Sequence, residues 1–78
     1  MKPGERVERL RGERGWTQAI LAARIGKSQT WVSRLEAGEI KTIPVKRIAD
    51  EFGLSEKRFL EGVDLVGFAV SIGERRSA

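Results

Sequence analysis

The apolar residues in the first sixty positions recur with helical spacing. Val7 and Leu10 are three residues apart, and Leu21 and Ile25 are four apart, so each pair lies on one face of a helix. The same periodicity continues through Phe59. It predicts five short helices joined by tight turns, an all-α bundle. The predicted helical segments are GERVERLRGERG, QAILAARI, Gln29 to Ala37, PVKRIADEF and EKRFLEG.

Residues that start and stop helices separate these segments. Thr17 and Ser28 are good N-caps for the second and third helices because their hydroxyl groups accept hydrogen bonds from free backbone N–H groups. Gly26 follows the last apolar residue of the second helix and is free to adopt the left-handed conformation of a sharp turn. Gly38 ends the third helix, and Pro44 lies in the first turn of the fourth.

The last sixteen residues, VDLVGFAVSIGERRSA, follow a different pattern. Their large apolar residues alternate with small ones, which predicts a β-strand. The alternating residues are Val66, Phe68, Val70 and Ile72. A single strand cannot satisfy its own backbone groups, and no second strand is predicted in the chain, so we expect pairing with the same strand of a second subunit. Two alternative interpretations are a segment that covers the helical core and a disordered tail. The predicted boundaries are therefore 1–62 for the helical domain and 63–78 for the C-terminal segment.

Composition excludes several classes of function. The chain has 78 residues, enough for one domain, and it contains no Cys and no His. Disulfides, thiol nucleophiles, imidazole bases and the usual zinc ligands are thereby absent, so we expect neither an enzyme nor a metal or cofactor site. No apolar run approaches the length of a membrane span, and MKPGERVERL lacks the apolar region of a signal peptide. We therefore expect a cytoplasmic protein that does not bind membranes.

The charge distribution indicates a polyanion as the partner. The net charge is +4, and no Asp or Glu occurs from Arg14 to Leu35. Three further basic residues, Arg24, Lys27 and Arg34, lie in that range. A positive field concentrated in one segment is typical of a surface that binds nucleic acid.

Residues Gln18 to Leu35 have the pattern of a helix-turn-helix. Gln18 is counted as position 1. A small residue at position 5 (Ala22) then lets the two helices touch, and a glycine at position 9 (Gly26) makes the turn. The apolar residues at positions 15 and 18, Val32 and Leu35, then hold the second helix on the core.

A helical wheel at about 100° per residue separates the faces of the third helix. Val32 and Leu35 point toward the core, and Trp31 lies at the boundary of that face. The outward face carries four residues that can form hydrogen bonds, none of them acidic: Gln29, Thr30, Ser33 and Arg34. Such a face suits a helix that enters the major groove of DNA, although short polar residues are also common on an ordinary solvated surface.

The segment TQAILAARIGKSQTWVSRLEAG resembles the helix-turn-helix of the lambda-repressor/Cro-like DNA-binding family, which implies a five-helix domain. The family form is T/S-Q-x-x-L-A-x-x-x-G-x-S-x-x-x-I/V-S-x-x-E-x-G. The matching positions are Thr17, Gln18, Leu21, Ala22, Gly26, Ser28, Val32, Ser33, Glu36 and Gly38. The resemblance extends over about residues 4–62 and does not cover residues 63–78.

The resemblance implies roles for particular residues. Gln29 and Thr30 match the main base-contacting positions, with Ser33 and Arg34 behind them. Gln18 matches a glutamine that holds a phosphate and braces the next helix. The residues expected at the phosphate backbone are Thr17, Gln18, Lys27, Trp31, Lys41 and Thr42. Arg11 and Glu36 match an ion pair that ties the first helix to the third.

These observations predict a sequence-specific regulator of transcription that binds double-stranded DNA, a repressor acting as a homodimer on a palindromic operator. Two alternatives share the fold: a DNA-binding antitoxin, which would bind a protein partner through its C-terminal surface, and a controller protein of a restriction–modification system. A third alternative is a protein-interaction adaptor that has lost DNA binding. Salt-dependent binding to a duplex distinguishes the regulator from the adaptor.

Overall fold

The computed structural model describes residues 1–71, which form five helices and two short strands. The predicted five-helix bundle is confirmed. In chain order the elements are α1 (Pro3–Glu13), α2 (Gln18–Ile25), α3 (Gln29–Glu36), β1 (Thr42–Ile43), α4 (Val45–Glu51), α5 (Glu56–Phe59) and β2 (Ala69–Val70). None of the helices in this part of the chain is long and apolar enough to cross a membrane.

The caps around the α2–α3 turn form as the sequence predicts. The Thr17 hydroxyl accepts a hydrogen bond from the Ile20 N–H at 3.1 Å, and the Ser28 hydroxyl accepts one from the Trp31 N–H at 3.0 Å. Gly26 lies between the two helices with φ of 71°, a conformation that residues with a side chain rarely adopt. These local interactions fix where α2 ends and α3 begins.

All five helices contribute to one apolar core. Val7, Leu21, Val32, Ile48 and Phe59 have no exposed surface. Partly buried apolar residues pack around this core, and Phe68 and Val70 from the C-terminal segment are among them. The buried face of α3 is therefore fixed, and its opposite face is the one that contacts solvent.

The first turn of α1 approaches the end of α3 very closely at Gly4. A Cβ atom at this position would collide with the Leu35 carbonyl oxygen, and it would lie 2.8 Å from the Glu36 carbonyl oxygen. Both obstacles are backbone atoms, which cannot move as the tip of a side chain can. Gly4 is therefore needed for the contact between α1 and α3.

The expectation that the chain offers no second strand is wrong. β1 and β2 form a two-stranded parallel sheet, with Thr42 opposite Ala69 and Ile43 opposite Val70. The Ala69 N–H donates to the Lys41 carbonyl oxygen at 2.8 Å. β1 has only two residues, so it is too short to show an alternating pattern in the sequence.

The four residues predicted to form a dimerisation strand differ in how far they are buried. Phe68 and Val70 are half-buried against the core of their own chain, so this part of the segment covers the helical domain. Val66 is 84% exposed. Ile72 lies outside the described residues. Pairing between two subunits stays a prediction.

Candidate nucleic-acid interface

One carboxylate, that of Glu36, joins three helices behind the outward face of α3. Arg11 of α1 makes two hydrogen bonds to it, Nε to Oε2 at 2.7 Å and Nη2 to Oε1 at 2.9 Å. Gln18 of α2 donates from Nε2 to the same Oε1 atom at 2.9 Å. The Arg11 guanidinium also donates to the Trp16 carbonyl oxygen at 2.8 Å. Gln18 is thus in the bracing position that the family resemblance implies.

The Arg11–Glu36 pair is largely removed from water. The side chains of Arg11 and Glu36 are 16% and 6% exposed. The hydrogen bond to Glu36 raises the pKa of Arg11 above its ordinary value, although partial burial acts in the opposite direction. Planar, bidentate geometry of this kind restrains orientation as well as distance. The pair therefore fixes how α3 is presented on the surface.

The outward face of α3 forms the floor of a surface depression of about 510 Å³. All four predicted base-contacting residues are exposed, and all four line it. The full lining is Gln18, Gln29, Thr30, Ser33, Arg34, Ala37 and Glu39. The structure therefore brings the predicted base-contacting side chains together at one place, beside the Gln18 side chain that braces α3.

Glu39 is a member of this site that the sequence analysis did not identify. It is exposed, and its backbone N–H donates to the Arg34 carbonyl oxygen at 2.9 Å, which turns the chain back toward α3. The other residues that line the depression are neutral or basic, so Glu39 is its acidic member. The helical wheel could not include it because Glu39 follows Gly38, where the helix has ended.

The residues predicted to contact phosphate occupy several elements around α2 and α3. The Thr17 hydroxyl is engaged as the N-cap of α2. Lys27 is exposed in the α2–α3 turn, and its Nζ lies 4.9 Å from the ring centroid of Trp31. Trp31 is half-buried and packs against the core, as its boundary position on the wheel suggests. Phosphate contact by these residues stays a prediction.

Lys41 and Thr42 lie in the segment that follows α3. Thr42 is exposed in β1. The Lys41 ammonium group donates to the Gly38 carbonyl oxygen at 2.8 Å, just beyond the end of α3. It also lies 4.8 Å from the ring centroid of Phe68. This segment therefore connects the end of α3 with the C-terminal segment.

Two capped helices on either side of a left-handed glycine, the second with an exposed polar face, define the chain as a helix-turn-helix protein. A family model described as a helix-turn-helix domain matches residues 4–58. This match covers most of the chain, so the chain belongs to the helix-turn-helix family. The predicted helix-turn-helix is thereby confirmed, and membership of this family supports a DNA-binding regulator.

Comparison with solved structures supports the same fold. The structure is similar to a chain of the SinR protein/SinI protein complex, with a TM-score of 0.65 and 20% sequence identity. The similarity covers 78% of this chain and 66% of that chain, so the match spans just under two thirds of that protein's length. No curated protein matches the chain.

Proposed function

We propose that this chain is a sequence-specific regulator of transcription that represses by binding a palindromic operator as a homodimer in the cytoplasm. The observation that carries the proposal is the convergence of Gln29, Thr30, Ser33 and Arg34 in one exposed depression. These side chains offer amide, hydroxyl and guanidinium groups, which are suited to the edges of base pairs in the major groove.

The proposed mechanism divides the contacts into two groups. Gln18, Lys27, Lys41 and Thr42 contact phosphates and set the position of the domain on the duplex. The exposed face of α3 then contacts base edges and selects the sequence. The part-buried Arg11–Glu36 pair supports this division because it holds α3 in one orientation, so that discrimination between bases does not depend on a mobile helix.

A dimer would double the small DNA-binding surface that one domain presents. One domain presents a single recognition helix, and two domains related by a two-fold axis would place their helices about 34–36 Å apart, in successive major grooves. We assign the dimer contact to the C-terminal segment. Val66, which is 84% exposed, is available for such a contact.

The C-terminal segment also offers a surface for a different protein. The similar solved structure is a complex of SinR protein with SinI protein. By analogy, a protein partner that occupies the segment around Val66 would compete with the second subunit and thereby regulate DNA binding. Regulation by a protein partner suits this domain because its described residues contain no separate ligand-sensing unit.

The test is a selection of bound sequences from a pool of random duplexes, with the mass of the protein measured by light scattering in parallel. We expect enrichment of a palindrome and a mass of two chains. The Thr30→Ala/Arg34→Ala double variant changes only exposed positions, so it should fold normally and lose the enrichment. Absence of enrichment by the unmodified protein would favour the adaptor, and a monomer at high concentration would exclude the homodimer.

A further inference from the structure

The C-terminal segment contacts the part of the chain that follows the recognition helix. The family match ends at residue 58, so the segment that carries Phe68 and β2 is an addition to the matched residues. β2 nevertheless pairs with β1, which begins at Thr42. The 2.8 Å hydrogen bond from Ala69 N–H to the Lys41 carbonyl oxygen belongs to this pairing and involves the residue before β1. The addition is thus attached to the segment expected at the DNA backbone.

The same segment also restrains the side chain of Lys41. The Lys41 ammonium group lies 4.8 Å from the ring centroid of Phe68, within the range of a cation–π interaction. The Gly38 carbonyl oxygen accepts a hydrogen bond from the same nitrogen at 2.8 Å. An ammonium group has three N–H donors, so two are left for another acceptor. A lysine side chain that is normally mobile is therefore held beside the end of α3.

We propose that Phe68 is a positioning residue for DNA binding, which orders the Lys41 ammonium group for contact with a phosphate of the DNA backbone. This inference rests on the proposed function. A flexible lysine loses rotamer freedom when it binds a phosphate, and this loss weakens binding. The contacts with Phe68 and Gly38 impose part of that order before DNA arrives. The C-terminal segment therefore contributes to DNA affinity without touching DNA itself.

The inference distinguishes the role of Phe68 from that of an ordinary core residue. A core residue would affect DNA binding only by changing how much of the protein is folded. A positioning residue affects DNA binding through Lys41, so its effect disappears when Lys41 has no ammonium group. A double-mutant cycle between the two residues measures this dependence directly.

The experiment uses the full chain with the substitutions F68L, K41A and F68L/K41A, and with F68Y as the conservative variant. Leucine keeps an apolar side chain at the position but removes the aromatic ring. Binding to a labelled duplex of about two helical turns is measured by fluorescence anisotropy at fixed salt. Circular dichroism and thermal unfolding establish that each variant is folded at the assay temperature.

We expect F68L to weaken binding by about two- to fivefold, the range set by an exposed cation–π contact. F68L should have no effect when added to K41A, and F68Y should bind like the unmodified protein. An equal effect of F68L with and without Lys41, or no effect at all, would overturn the inference. Should F68L fail to fold, F68M replaces it in the same cycle.

Failure of the proposed function gives a different result. If the unmodified protein shows no salt-dependent binding to any duplex, the proposal of a DNA-binding regulator is wrong and the role of Phe68 falls with it. If the unmodified protein binds DNA and the cycle shows no coupling, only the role of Phe68 is wrong.

Discussion

Replacing Arg11 with methionine tests whether the Glu36 carboxylate organises the interface. Methionine keeps much of the length and apolar volume of the arginine side chain and removes its charge. Of the hydrogen bonds that residues 1–71 donate to the Glu36 carboxylate, whose side chain is 6% exposed, the one from Gln18 would then remain. An uncompensated buried charge of this kind destabilises a protein by about 3–5 kcal/mol.

The expected loss is large relative to the stability of so small a domain. A chain of 78 residues has a free energy of unfolding of roughly 4–12 kcal/mol at the usual value per residue. Because Arg11 retains 16% exposure, we place the effect at the lower end, about 3 kcal/mol. Urea denaturation at 25 °C would show it as a lower midpoint with an unchanged slope.

Lys46→Met provides the matched control for Arg11→Met. Lys46 pairs with Asp50 at 3.2 Å, but both side chains are more than half exposed. Breaking a surface pair of this kind should change the free energy of unfolding by no more than about 0.5 kcal/mol. The reasoning is refuted if Arg11→Met also loses less than about 1 kcal/mol, since the pair would then behave as an ordinary surface contact.

Three further predictions concern the α1–α3 contact and the DNA-binding face. Gly4→Ala should lower the melting temperature because its Cβ meets backbone atoms, whereas Gly12→Ala, with open space around it, should stabilise α1 by about 0.5–1 kcal/mol. Equal shifts in the two melting curves would contradict the close approach. Lys27→Ala should weaken binding to every duplex and reduce the slope of log binding constant against log salt concentration by about one. Arg34→Ala should instead reduce discrimination between operator variants by about 1–3 kcal/mol. Titrations of several duplexes at several salt concentrations measure both, and identical profiles would refute the assigned roles. Glu39→Gln should tighten binding to all duplexes because it removes a negative charge from the proposed DNA-binding face. Unchanged or weaker affinity in the same titrations would contradict this.

Local chemistry made the helices predictable. The Thr17 and Ser28 hydroxyl groups and the left-handed Gly26 act within a few residues of their own positions, so the sequence contains all the information needed. The exposed face of α3 was also predictable, since Val32 and Leu35 are both buried and determine which side faces outward.

Features that depend on distant parts of the chain were not predictable in the same way. β1 becomes a strand only because β2 pairs with it from the other end of the domain. The need for glycine at position 4 arises from the carbonyl groups of Leu35 and Glu36, which the sequence does not place there. Glu39 joins the depression because the chain turns after α3. Each case depends on tertiary contacts that no local pattern encodes.

The parallel pairing of β1 and β2 has a consequence for the order of folding. Along the chain, α4 and α5 lie between β1 and β2, so pairing of the two strands closes a long loop. Closing this loop costs conformational entropy that the local contacts within each helix do not. We therefore expect the helical core to form first and the strand pair to form last. The same ladder is short, and it should open by local fluctuation while the core stays folded. β2, with Ala69 exposed and Val70 half-buried, would then be the first part of the sheet to lose its order on warming, whereas Ile43 of β1 is held in the core.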